Sequence, residues 1–92
     1  MIVTFVSKGL AELFEKRKTA KLDSKLQPKM LRILDALDRS TRPEQMRIPG
    51  LNFHPLKGFK PTRYSVHVNG PWCITFAFDG ENAISVDFEQ YH

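Results

Sequence analysis

The sequence predicts an α+β fold in which two N-terminal helices pack on one face of a small, mainly antiparallel, twisted β-sheet. Three observations predict it. Apolar residues in the first half recur at helical spacing, whereas from Tyr64 onward they fall on every second residue. Two tight-turn signals, Asn69-Gly70 and Asp79-Gly80, cut that second half into three runs. The length of 92 residues is that of one domain, spanning residues 1–92.

The elements follow in chain order. Residues Ile2 to Val6 are β-branched or aromatic and read as a short strand. Leu10, Leu13 and Phe14 begin a helix near Ser7, closed by the cations Lys16, Arg17 and Lys18 at its C-terminal end. A second helix carries the stripe Leu22, Leu26, Met30, Ile33, Leu34 and Leu37. Its start is open between a cap at Asp23 or Ser24 and one at Gln27, because Pro28 is tolerated only in a first turn. RSTRPEQMRIPG is a loop punctuated by Pro43, Pro49 and Gly50. Tyr64, Val66 and Val68 then alternate with polar residues. So do Trp72, Ile74, Phe76 and Phe78, and after them Ile84, Val86 and Phe88. The outcome is a three-stranded meander with one apolar face, which the helices cover. By the same alternation His67, Cys73, Thr75, Asp87, Glu89 and Tyr91 look outward on the opposite, open face.

Charge is unevenly distributed. All 14 Lys and Arg lie between Lys8 and Arg63 beside six acids, while the stretch from Tyr64 to His92 has four acids and no Lys or Arg. A basic face of this kind suits nucleic-acid phosphates or an acidic partner, and its plainer reading is a solvated surface. The single cysteine, Cys73, rules out an internal disulfide and fits a reducing compartment. The apolar N-terminal stretch is too short for a signal peptide or a membrane span, so the expected location is cytoplasmic, with no membrane partner.

FHPLKG supplies His54 and Lys57 just before the meander, and the last run ends in Tyr91 and His92. Cleaving RNA through its own 2′-hydroxyl requires a base, an acid and positive charge on the phosphorane. His54 and His92 can be base and acid, Lys57 can stabilise charge, and Tyr91 can stack on a base or donate a proton. No metal-ligand spacing is present, so neither a metal nor another cofactor is expected. Taken singly, each signal has a plainer reading: His54 as a loop residue, Lys57-Gly58 as a turn, Tyr91 as a cap on the core. Cys73 has no base beside it in sequence, and only His67 across the turn is a possible neighbour.

HPLKG, YSVHVNGPWCITFAF and the closing VDFEQYH together resemble the HigB-type toxins of the RelE superfamily, along the full chain. The resemblance implies a RelE-like fold and a ribosome-dependent endoribonuclease that cuts mRNA. It also implies a helix-turn-helix antitoxin of the HigA type. It places the family's site at His54, Lys57, Tyr91 and His92. Two positions depart from the family pattern. Cys73 stands where an arginine usually follows the tryptophan, and Gln90 stands where an aspartate is usual. Lys57, Lys60 or Arg63 can cover the missing positive charge, and Arg63 matches phosphate geometry best. Lys16, Arg17, Lys18, Lys21, Lys25 and Lys29, with Lys60 and Arg63, are the expected contacts to ribosomal RNA and mRNA. A ribosome- or antitoxin-binding module without cleavage, and a gyrase poison like the related ParE toxins, are the alternatives.

Overall fold

The computed structural model describes residues 1–90. Two helices, α1 (Lys8–Lys16) and α2 (Gln27–Arg39), precede a short 3₁₀ turn (Pro43–Met46). Four strands follow: β1 (His54–Leu56), β2 (Arg63–Asn69), β3 (Trp72–Asp79) and β4 (Asn82–Gln90). The strands form one antiparallel sheet in the order β1-β2-β3-β4.

Helix α1 starts where the Ser7 hydroxyl accepts the Leu10 N–H at 3.1 Å. It stops at Arg17, whose left-handed backbone (φ 67°) lets its own N–H return to the Leu13 carbonyl. Helix α2 starts at neither of the expected caps. Gln27 and Pro28 form the first turn, Leu26 is the cap, and no side chain closes the end. The residues before it form a separate turn in which Asp23 Oδ1 accepts the Lys25 N–H at 2.9 Å. Gln27 then ties that turn to the helix: its amide donates to the carbonyls of Thr19 (2.7 Å) and Leu22 (2.9 Å). Leu10 and Leu13 of α1, with Met30, Ile33, Leu34 and Leu37 of α2, meet Val66, Val68, Ile74, Phe76, Ala83 and Val86 of the sheet in one core.

Two expectations need correction. The sheet has four strands rather than the three expected, because His54–Leu56 is the edge strand β1, paired His54 to Ser65, Pro55 to Tyr64 and Leu56 to Arg63. Pro55 has no N–H to give a ladder, which is why a proline is acceptable there only at a sheet edge. Residues 2–6 do not form a regular strand either. They lie parallel to β4 through two isolated bridges, Ile2 with Ala83 and Phe5 with Val86. The interruption has a cause in β4. The β3–β4 register shifts between Thr75 and Ala77, and Ser85 takes a left-handed φ of 52°. The strand bulges there, and at that point the Ser85 N–H is satisfied by the Thr4 hydroxyl at 2.8 Å rather than by a backbone carbonyl.

Candidate functional site

The strand registers place the polar side chains in rows across the sheet. His54 pairs with Ser65, Ser65 with Thr75, and Thr75 with Asp87, so one row crosses all four strands. The next row is His67, Cys73 and Glu89. At strand spacings of about 4.8 Å, the first row puts His54 roughly 14 Å from Asp87.

The middle of this second face is closed, contrary to the expectation that Cys73 and Thr75 look out to solvent. Ser65, Cys73, Thr75 and Ala77 are all buried. At Thr75 the cover is Arg63. From the start of β2 its Nη2 donates to Thr75 Oγ1 and to the Ser85 carbonyl, both at 2.9 Å. Glu89 comes from β4 to accept the Thr75 hydroxyl, and its carboxylate lies 3.9 Å from Arg63 Nη2. The β4 bulge is what turns the Ser85 carbonyl toward the guanidinium. Arg63 has no partner at Nε or Nη1 among the described residues, and its side chain is 15% exposed. It is therefore a fixed cation with unused donors.

His54 is held differently. The ring is exposed, and Nδ1 sits 2.9 Å from the Asn52 carbonyl. A carbonyl can only accept, so Nδ1 carries the proton and the neutral ring keeps its lone pair on Nε2. Asn52 reaches that position with a φ of 49°. Lys57 is exposed in the turn just after β1, and Lys60 lies farther along the same exposed loop. Tyr91, His92 and their relation to His54 lie outside the described residues. His67 is engaged with the sheet turn, its Nε2 2.8 Å from the Gly70 carbonyl. Cys73 is its register partner, but the thiol lies 3.9 Å from the Pro71 carbonyl, directed at the turn.

The basic residues of the helical half divide into two sets. Lys21 (2.9 Å) and, more loosely, Lys16 (3.9 Å) both lean on Glu12. Arg17 grips Asp35 through two parallel bonds of 2.7 and 3.2 Å, linking α1 to α2. Lys29 Nζ donates to the Val68 carbonyl at 2.8 Å. Lys18 and Lys25 are exposed, and neither ammonium is paired among the described residues. The Thr19 hydroxyl and then the Lys21 ammonium pull the Glu12 carboxyl below its usual range, and Arg17 does the same for Asp35.

Asn52 as a partner of His54, the bond between Thr75 and Glu89, and the burial of Ser65 are features that the sequence does not single out. Alternation puts Ser65 on the same face as His67, which is the only signal it offers. Among the described residues no group of three or more His, Cys, Asp or Glu side chains could hold a metal ion. No helix there is long and apolar enough to cross a membrane.

Comparison with known proteins gives two findings. A family model described as the RelE-like toxin of the type II toxin-antitoxin system HigB matches residues 3–92. The chain is also 34% identical, over 100% of both lengths, to Endoribonuclease HigB of Proteus vulgaris.

Proposed function

This chain belongs to the HigB-like toxins, RelE-like proteins of type II toxin–antitoxin systems, and from that premise we propose that it is an endoribonuclease that cuts mRNA on the ribosome. Membership implies a cognate antitoxin, and we read that partner as a helix-turn-helix protein of the HigA type. Both are read as acting in the cytoplasm.

The proposed reaction uses the substrate's own nucleophile. His54 Nε2 takes the proton of a ribose 2′-hydroxyl, and the 2′-oxygen bonds to the adjacent phosphorus. The bond from phosphorus to the 5′-oxygen breaks, and His92 donates a proton to that oxygen. The products are a 2′,3′-cyclic phosphate and a 5′-hydroxyl. Lys57 and Arg63 stabilise the negative charge that grows on the phosphorane. Tyr91 stacks on or protonates the substrate next to His92.

The observation that carries the reading is the hydrogen bond from His54 Nδ1 to the Asn52 carbonyl, which leaves the outer ring nitrogen as a base. Arg63 supports it, because a fixed guanidinium on the same face supplies the charge that Cys73 cannot. Primer extension on ribosome-bound mRNA after mixing with the purified protein tests the proposal. New 5′ ends are expected, reduced about 10²–10⁴-fold in rate by His54→Ala. Cleavage unchanged by alanine at His54, Lys57 and His92 together would overturn the assignment.

A second reading rests on one observation. The position that usually carries an arginine holds a buried thiol facing a turn carbonyl. A protein that occupies the ribosome and stops translation without cutting fits that feature, and arrest with no new 5′ ends is its signature.

A further inference from the structure

We propose that Phe59 is a base-stacking residue that holds a nucleotide of single-stranded RNA beside the His54–Arg63 face. The inference rests on RNA being the substrate.

Phe59 differs from the other phenylalanines of the chain. Phe53 and Phe76 are in the core, and Phe5, Phe14, Phe78 and Phe88 pack against it. Phe59 belongs to neither group and is 42% exposed. Every residue from Lys57 to Thr62 is exposed, so the loop gains no core contact from an aromatic at this position. Folding does not account for the ring.

Its place in the chain is informative. The loop leaves β1 after Leu56 and enters β2 at Arg63, and those two residues are register partners. Phe59 therefore projects from a short connection closed at its base. That connection joins the strand of His54 to the strand of Arg63. Lys57 and Lys60 flank it. Gly58 has a φ of 88°, which makes the sharp turn that exposes the ring.

The surrounding charge selects the ligand. Between Glu44 and Asp79 the sequence has no acidic residue, while Arg47, Lys57, Lys60 and Arg63 lie within it; of these four, only Arg63 has a carboxylate beside it among the described residues, that of Glu89 at 3.9 Å. Cations alternating with one exposed ring match the chemistry of a single strand, with phosphates for the ammonium groups and a base face for the phenyl. A protein partner would want apolar neighbours around an anchor. Among the described residues the other exposed large apolar side chains are Met1, Val3, Val6 and Ile48, none of them in this loop.

The test compares Phe59→Ala, Phe59→Leu, Phe59→Tyr and Phe59→Trp in the full chain, all with unchanged melting because the site is exposed. Leu keeps the apolar character and removes the π-face. In the ribosome-programmed cleavage assay at subsaturating mRNA, Ala and Leu are expected to lose about tenfold to a hundredfold, and Tyr and Trp to keep activity. Wild-type cutting with Leu equal to the wild type would overturn the stacking role and leave the nuclease reading standing. A wild-type protein that makes no cuts would overturn the nuclease reading instead. The question then passes to Phe59→Trp titrated with oligoadenylate. Indole quenching beyond that of the wild type supports stacking, and its absence overturns it.

Discussion

At the scale of single residues, the site depends on backbone positions as much as on functional groups. Asn52 holds a left-handed φ of 49° and offers its carbonyl to His54. Asn tolerates that conformation and a β-branched residue does not. Asn52→Gly should leave stability within a few tenths of a kcal/mol, whereas Asn52→Val should cost about 1–2 kcal/mol and slow cleavage by loosening His54. Chemical denaturation and the cleavage assay, run on both variants, check this. An Asn52→Val protein of native stability and full activity would show that the carbonyl does not position the ring. Arg63 invites the complementary experiment. Arg63→Met keeps much of the stem and removes the fork, so cleavage should fall about 10²–10³-fold. It also leaves Thr75 and the Ser85 carbonyl without their donor. Arg63→Lys separates the two effects: it retains charge but has a shorter reach and lacks the free Nε and Nη1 donors of the guanidinium, and it should recover only part of the rate. Ser65 gives the opposite sign. Its hydroxyl is fully buried and makes no hydrogen bond among the described residues. Ser65→Ala should therefore be neutral or stabilising by up to about 1 kcal/mol in thermal unfolding, and a loss of stability would mean that the oxygen has a partner.

The elements show which parts of the molecule the sequence makes readable. Both helices and the three long strands follow from periodicity and from Asn69-Gly70 and Asp79-Gly80, because those signals are local and repeated over several residues; one position is corrected, since the bulge in β4 breaks the alternation and puts Ala83, not Ile84, on the core face. Strand β1 was hidden, since three residues containing Pro55 carry no period to read. The N-terminal segment read as a strand, yet its ladder is broken by a single left-handed residue, Ser85, on its partner. Alternation assigns Cys73 and Thr75 to the correct face but not their burial, which at Thr75 comes with the Arg63 side chain laid across β3. His54, Lys57 and Arg63 are legible in the sequence as candidates for the proposed chemistry. The Asn52 and Ser85 carbonyls that hold two of them are not, because backbone acceptors leave no mark in a sequence. Between the helices, Gln27 acts as the joint. It is buried and its amide satisfies two carbonyls of the preceding turn. Gln27→Ala should cost about 1–3 kcal/mol, since those carbonyls lose their donor. Hydrogen exchange should rise first in residues 18–26. Uniform loss of protection across the sheet would assign Gln27 a global role instead.

Across the whole molecule, electrostatics links stability to partner binding. The carboxyls of Glu12 and Asp35 titrate below their ordinary values of 4.5 and 3.8 in the folded protein. The unfolded chain then binds more protons in the acid range. The stability these groups contribute is complete above the ordinary values and is lost as pH falls through the depressed ones. The effect is small because both pairs are solvent-screened. Melting temperature should decline below about pH 4, and Asp35→Asn should flatten part of that decline.

The same pairs decide which cations are available to a polyanion. Lys16 and Lys21 already sit beside Glu12 and Arg17 is bound to Asp35, so moving any of them onto a phosphate sacrifices an internal contact. Lys57 and Lys60 stand in a sequence stretch without acids and make no ion pair among the described residues. Each phosphate contact contributes about 0.7–0.9 to the slope of log affinity against log salt. Lys57→Gln with Lys60→Gln should therefore lower the salt slope of ribosome co-sedimentation by about 1.5. Lys16→Gln with Lys21→Gln should change it less, although the net charge removed is identical. Equal slopes for the two double variants would mean that the protein approaches the ribosome through its helical half, with the Glu12 pairs opening on contact. A larger effect at the loop would place the acid-free edge, with His54 and Arg63 behind it, against the RNA.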